Sequence, residues 1–490
     1  MARHLKHVAR SIAVALATLI VAILGANAVV AQDLPSSVVA GKLPFDEKVL
    51  VRGLQSPWEV TWGPDNYLWV TERTGGRVTR INPADGSHEL AIRFSDAVSP
   101  GGQDGVLGMA LHPDLLKGKG HDWVFVAYTY LDPKAPPRTS FTDPASPYRQ
   151  LYTRIVRLTY DPTTQMLDQP QVLIEGLPAS SDHNSGRLKI GPDMKLYYTI
   201  GDGGNDQLGN WCTPIQAQRL PTAAEVASKN WFAYQGKSLR LNLDGTIPDD
   251  NPVIEGVRSH IYTYGHRNMQ GIDFAPDGTL YASEQGPKTD DEVNILQPGG
   301  NYGWPHVAGF RDDKAYQYAR WADASTPCKQ LTFSDITIDP SVPREDETSW
   351  KGDMVSPIVT MFTVPSDWNF VDPKCHGMDF VCWPTIAASS IETYWRADGI
   401  PGWAHSLIVT TLKRGSIYRI PLAADGRHLS GPIERYFQSE NRFRDTAVSP
   451  DGKTIYVATD NGGLAESSSG GTTTTMHDPG TILAFTYHGN

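Results

Sequence analysis

The sequence predicts an all-β fold, a six-bladed β-propeller. Three observations predict it. A Pro-Asp turn phrase recurs along the chain, a β-rich apolar run follows each copy, and helical periodicity is scarce among 45 glycines and 36 prolines. In such a phrase proline presets the second turn position, while Asp, Asn and Gly suit the others. Units repeated this closely stack radially rather than as two successive sandwiches.

The first unit is Gly63-Pro64-Asp65-Asn66 before Tyr67-Leu68-Trp69-Val70, with Arg77-Val78-Thr79-Arg80-Ile81 as its next strand. His112-Pro113-Asp114 precedes Trp123 to Tyr128. Gly191-Pro192-Asp193-Met194 precedes Leu196 to Ile200, with Ser238 to Leu243 following. Ala275-Pro276-Asp277-Gly278 opens onto Leu280-Tyr281-Ala282. One unit lacks the phrase but keeps its strands, Ser406 to Thr411 and Ser416 to Ile420; Ser449-Pro450-Asp451-Gly452 then leads into Thr454 to Ala458. The last strand, Thr481 to Tyr487, is expected to pair with an N-terminal strand and close the ring, which removes an exposed edge. Long insertions break the spacing, at Gly299 to Met354 and at Pro365 to Ser390. Long loops in a compact fold usually carry function.

The N-terminus reads as a leader. Arg3, Lys6 and Arg10 precede an apolar run from Ile12 to Leu24, and Val29-Val30-Ala31 offers small residues for cleavage. That is the pattern of a secretory signal peptide, too short for a lasting membrane span. The expected division is therefore a signal peptide over 1–31 and one propeller over 32–490, in a periplasmic or secreted protein. No later segment is apolar enough to cross a bilayer. The formal net charge is −11, and loss of the leader makes the remainder more acidic, which argues against nucleic-acid binding. Export makes the four cysteines disulfide candidates. Cys375 and Cys382 read as a local bridge; Cys212 and Cys328 are the remaining pair, with their geometry open.

Several stretches carry chemistry. In Ser181-Asp182-His183-Asn184-Ser185-Gly186-Arg187 a histidine stands beside a carboxylate in a loop feeding a strand, as a general base can. Tyr264-Gly265-His266-Arg267-Asn268-Met269-Gln270 offers fixed donors to carbonyl or carboxylate oxygens. Ser283-Glu284-Gln285-Gly286-Pro287-Lys288-Thr289-Asp290-Asp291-Glu292 combines turn carbonyls with three consecutive acids, a mixture suited to calcium. Leu412-Lys413-Arg414-Gly415 and Asn441-Arg442-Phe443-Arg444-Asp445 gather four cations in an acidic protein, which points to an anionic small ligand. No phosphate loop or dinucleotide fingerprint is present.

Taken with Trp62 to Asn66, Gly102-Gln103-Asp104-Gly105, Gly300-Asn301-Tyr302-Gly303-Trp304-Pro305 and Cys382-Trp383-Pro384-Thr385, these stretches resemble the soluble periplasmic quinoprotein glucose dehydrogenases from about Val49 to the C-terminus. The resemblance implies pyrroloquinoline quinone (PQQ) and calcium as cofactors. It implies His183 as base, Asp202 orienting it, Arg267 polarising the quinone oxygens, and Gln103 and Asp182 touching the sugar. Asn268, Thr385, Lys413, Arg442 and Arg444 would hold the cofactor. Gly286 and Pro287 would bind one calcium, and Glu292, Ala308, Phe310, Asp312 and Glu347 a second. Phe310 stands where that family can have tyrosine, His376 and Phe380 alter the loop over the cofactor, and Cys212 and Cys328 are extra. The expected activity is oxidation of glucose or a related aldose to its lactone, passed on to an external electron acceptor, in a homodimer. A different sugar preference, or a propeller that binds carbohydrate without catalysis, are the alternatives. Only a ring would bring these loops together, with His183 and Arg267 within about 15 Å.

Overall fold

The computed structural model describes residues 38–138 and 145–489; the expected leader lies outside them. Six four-stranded antiparallel sheets follow one another. Blade I is Pro57–Trp62, Leu68–Glu72, Arg77–Ile81 and His88–Arg93; blade II is Val106–Leu111, Trp123–Leu131, Leu151–Asp161 and Met166–Pro178. Blade III is Leu188–Ile190, Leu196–Ile200, Lys237–Leu241 and Ile261–Tyr264; blade IV is Met269–Phe274, Leu280–Glu284, Asp291–Ile295 and Val359–Met361. Blade V is Ala388–Tyr394, Ser406–Thr411, Ile417–Pro421 and Ile433–Tyr436, to which Val38–Ala40 adds a parallel edge strand. Blade VI takes Phe443–Val448, Thr454–Thr459 and Ile482–Tyr487 from the C-terminus and Phe45–Val51 from the N-terminus. The first strands of successive blades touch in a closed circuit, from I through VI and back to I, so the six-bladed propeller is the fold.

The repeated phrase has a local cause. Asp65, Asp193, Asp277 and Asp451 each turn a carboxylate oxygen onto the backbone N–H two residues on, at 3.3, 3.1, 2.9 and 3.0 Å. These are Asx turns. The residue after each aspartate sits at positive φ: Asn66 at 60°, Met194 at 56°, Gly278 at 89° and Gly452 at 72°. Glycine and asparagine occupy that region at least cost, which is why they dominate the fourth position.

Apolar side chains fill the spaces between blades. Trp69 and Val78 of blade I pack with Val124, Val126, Val156 and Leu158 of blade II. Phe125 and Ile155 meet Leu188, Leu196, Tyr198 and Leu239 of blade III. Each such buried aliphatic or aromatic contributes roughly 1.5–3 kcal/mol. On the axis the interior is charged instead. Arg187 is 1% exposed. Its guanidinium donates to Glu59 of blade I at 2.7 Å, to the Gln270 carbonyl of blade IV at 3.0 Å and to the Ser389 carbonyl of blade V at 3.0 Å, and it pairs with Asp445 of blade VI at 2.9 Å. One side chain from blade III thus ties four others.

Both disulfides form among the described residues. Cys375–Cys382 closes the short loop before Thr385, and Cys212–Cys328 joins positions 116 residues apart. No described helix is long and apolar enough to cross a membrane.

Candidate active site

Gln103, Asp182, His183, Arg267, Thr385 and Arg442 arrive on loops that lead into innermost strands, while Gly286, Pro287 and Lys413 sit in turns after the second strands of blades IV and V, so the ring sets them around one opening. His183 lies in the loop entering blade III, with φ of 46°. Its Nδ1 is 2.7 Å from Asp202 Oδ1. Asp202 is fully buried and is held by the Trp304 indole N–H at 2.9 Å and by the Gly204 N–H at 2.9 Å. A carboxylate only accepts, so Nδ1 carries the proton and Nε2 keeps its lone pair. That Nε2 faces the Gln207 amide nitrogen at 3.1 Å. The Gln207 orientation follows in turn from Arg267, whose guanidinium donates to Gln207 Oε1 at 2.7 Å and cannot accept. His183 and Arg267 are therefore separated by a single side chain.

Arg267 precedes the first strand of blade IV. It donates to the Gln285 carbonyl at 3.1 Å, its backbone N–H donates to Glu284, and its Nε is buried with no acceptor. Beneath it His266 bonds Glu284 at 2.8 Å and stacks on Tyr302, fixing the turn. Gln103, from the loop entering blade II, donates to Asp182.

Blades V and VI supply the other cations. Lys413 is 7% exposed and reaches the Thr385 hydroxyl. Burial pulls its ammonium down to about 7, against the opposing pull of Asp291. Arg442 donates to Asp460 at 3.2 Å and to the Leu464 carbonyl at 2.6 Å, and burial lowers it too. Arg444 clasps Asp460 with two bonds, at 3.0 and 2.7 Å, and reaches Gln270 at 3.3 Å. Burial would raise Asp460, but Arg444 and then Arg442 outweigh it and hold the carboxyl at about 2.

These groups surround a cavity of about 510 Å³. Gln103, Asp182, His183, Arg267, Gly286, Pro287, Thr385, Lys413 and Arg442 line it. Asp202, Asn268 and Arg444 stand behind the wall. Asn268 is fully buried, donates to Gln285 Oε1 and accepts from Ser185 and Gln270, at 3.1 Å each. No hydrogen bond among the described residues occupies the carbonyls of Gly286 or Pro287.

A second group of carboxylates gathers where the blade IV insertion folds back. Glu347 accepts from the N–H groups of Ala308, Asp312 and Asp313 at 3.0, 3.2 and 3.0 Å. Glu292 accepts from Gly309 at 2.6 Å, and Asp312 from Lys314 at 3.0 Å. Asp290, which was not singled out as a ligand, joins them with one buried oxygen that meets no donor. Burial pushes Glu292 upward, and Glu347 and Asp290 to about 7. The Phe310 side chain, one residue after Gly309, is exposed.

Family models place residues 54–359 and 373–466 in "Glucose / Sorbosone dehydrogenase". The chain belongs to the glucose/sorbosone dehydrogenase family. Quinoprotein glucose dehydrogenase B of Acinetobacter calcoaceticus is 44% identical over 447 residues, covering 90% of this chain and 91% of the relative. Aldose sugar dehydrogenase YliI of Escherichia coli is 27% identical over 87% and 93% of the two chains. Among solved structures, the PQQ-bound aldose sugar dehydrogenase of Streptomyces coelicolor superposes with a TM-score of 0.58 at 23% identity, over 92% of this chain and all of that one, which establishes the fold. The chain is thus an oxidoreductase of this family. Sequence reasoning missed Gln207 and Asp460, because an uncharged amide and a lone aspartate carry no motif, and Gln285 lay in a noted stretch without a role of its own. Trp304 and Asp291 lay inside stretches already noted without a role.

Proposed function

We propose that this protein oxidises glucose or a related aldose to the lactone, using PQQ and calcium. The observation that carries the reading is the cavity itself. In an acidic protein, Arg267, Lys413 and Arg442 meet there beside the His183 imidazole, whose Nδ1 is tied to Asp202 and whose Nε2 faces the Gln207 amide. The residues fit a planar polycarboxylate. Arg267 Nε has no acceptor, and Lys413 rests on a hydroxyl with its charge poorly compensated. Such buried cations call for anionic oxygens. The free carbonyls of Gly286 and Pro287 offer oxygen ligands to calcium, which takes such donors. The second carboxylate group, with its unmet Asp290 oxygen, fits a further calcium in the same way.

When bound, PQQ would supply the electrophilic quinone that accepts hydride, and calcium its Lewis acidity. The protein's own part is positional. Lys413, Arg442 and Thr385 bind carboxylates, while Arg444 and Asn268 brace them from behind. His183 Nε2 takes the proton of the anomeric hydroxyl, with Asp202 stabilising the imidazolium. Arg267 offsets negative charge developing on oxygen. Gln103 and Asp182 orient the sugar. Export, a homodimer and an external electron acceptor complete the reading.

Reconstitution tests it. Protein made without PQQ should be folded and inactive, and PQQ with calcium should give glucose-dependent dye reduction where neither alone does. EDTA should abolish the rate and calcium restore it. Full activity without PQQ, or with nicotinamide in its place, would overturn the proposal, and no dye reduction with any aldose would favour a carbohydrate binder.

A further inference from the structure

The Cys212–Cys328 bridge joins two insertions that both reach the cavity mouth. The loop between the second and third strands of blade III carries Gln207 and Leu208, five and four residues before Cys212. The blade IV insertion carries Phe333, Asp335 and Ile336 just after Cys328, and all five of these side chains line the cavity. The contacts between the two insertions cluster beside the bridge. Asp206 accepts from the Ala322 N–H at 2.9 Å. Trp211 meets the edges of Trp321 and Phe333, with centroids 5.7 and 6.4 Å apart. The blade III loop needs such a hold, because Asp206 and Leu208 on either side of Gln207 both take positive φ, at 57° and 40°. That backbone costs free energy and persists only where its surroundings over-determine it.

Gln207 is where this hold meets the chemistry. Its amide must satisfy Arg267 at 2.7 Å and His183 at 3.1 Å together. A shift of the loop by about 1 Å lengthens both bonds beyond useful range. We propose that the Cys212–Cys328 bridge is a positioning element of the active site, holding the blade III loop on the blade IV insertion so that Gln207 aligns Arg267 with the His183 lone pair. Its effect on catalysis rests on the aldose oxidation proposed above; its effect on His183 does not.

Two readouts separate those dependences. In Cys212→Ser/Cys328→Ser protein with Cys375–Cys382 intact, the ¹⁵N signals of the His183 ring should move as they do in Gln207→Ala, while His112 and His260 stay in place. With PQQ and calcium supplied, KM for glucose should rise about tenfold and kcat fall less than about threefold, in keeping with lost positioning. In a Gln207→Ala background, breaking the bridge should change kcat/KM less than twofold, because the bridge acts through that amide. If the serine pair does not fold, Cys212→Ala/Cys328→Val leaves no hydroxyl to bury and serves instead. Unmoved His183 signals, or the same loss of kcat/KM with and without Gln207, would overturn the role. A parent protein inactive toward every aldose would sink the proposed function, and the His183 signals would still decide this one.

Discussion

Two groups of buried charge lie in this propeller, and they are built on opposite terms. On the axis, Arg187 spends its donors on Glu59, Asp445 and two carbonyls, and five blades share the result. Two carboxylates compete for that one guanidinium, so burial lifts Glu59 to about 7, while Asp445 and Glu59 outweigh burial and keep Arg187 charged. At the cavity, Arg267 leaves Nε unmet, and Lys413 has the Thr385 hydroxyl, the Trp383 carbonyl at 3.5 Å and a pull from Asp291 that does not offset its burial. Buried charge that the fold neutralises by itself holds blades together. Buried charge that the fold leaves short of partners marks a place for a ligand.

That contrast can be broken first at the base. His183→Gln should leave the fold and PQQ binding intact while turnover falls about 10²–10⁴-fold; stopped-flow reduction and cofactor titration measure the two separately, and near-normal turnover would reassign the proton to Asp182. On the axis the loss should be one of stability. Arg187→Met strands Glu59 and Asp445 without their cation and should cost about 3–5 kcal/mol in urea unfolding. Lys413→Met should do the reverse. Its amine is pulled down to about 7, so at pH 8 the substitution removes little charge and should leave the apo-protein about as stable as the parent, while PQQ binding weakens by about tenfold or more.

The charge states sharpen the comparison further. With Lys413 at about 7, an anionic ligand favours its charged form, so PQQ binding at pH 8 should take up a proton. Calorimetry in buffers of different ionisation heat would detect it, and Lys413→Met should lose it. Asp460 gives the smallest effect. Its carboxyl is depressed to about 2 from an ordinary 3.8, so its stabilisation is complete above pH 3.8 and is lost as the pH falls through 2. The stability gap between the parent and Asp460→Asn should therefore narrow by about 2 kcal/mol between pH 5 and pH 2; a constant gap would place the ion pair elsewhere.

What was legible in the sequence was local or repeated. The Asx turns announce themselves because the aspartate and the amide it caps are two residues apart. The cavity residues were legible because each sits in a short polar run, either just before an innermost strand, as His183, Arg267 and Arg442 do, or just after a second strand, as Gly286, Pro287 and Lys413 do, where a ring must bring them together. Relations across long separations were not. Arg187 stood inside a noted stretch, but its partner Glu59 lies 128 residues earlier. Gln207 gains meaning only from Arg267, 60 residues on. Cys212 and Cys328 could be named as a pair, yet nothing in composition says that their bridge flanks the active site.

The sixth blade is shared between the two ends of the chain: Phe45–Val51 pairs with Ile482–Tyr487. During synthesis Phe45–Val51 appears early and must wait for the last strand. A nascent chain can assemble blades I to V in order, yet the circle stays open, with two raw sheet edges, until the final residues emerge. Contacts of such sequence separation form slowly. Under the export proposed above, that delay would be an advantage, because the polypeptide would stay threadable until its tail had been made.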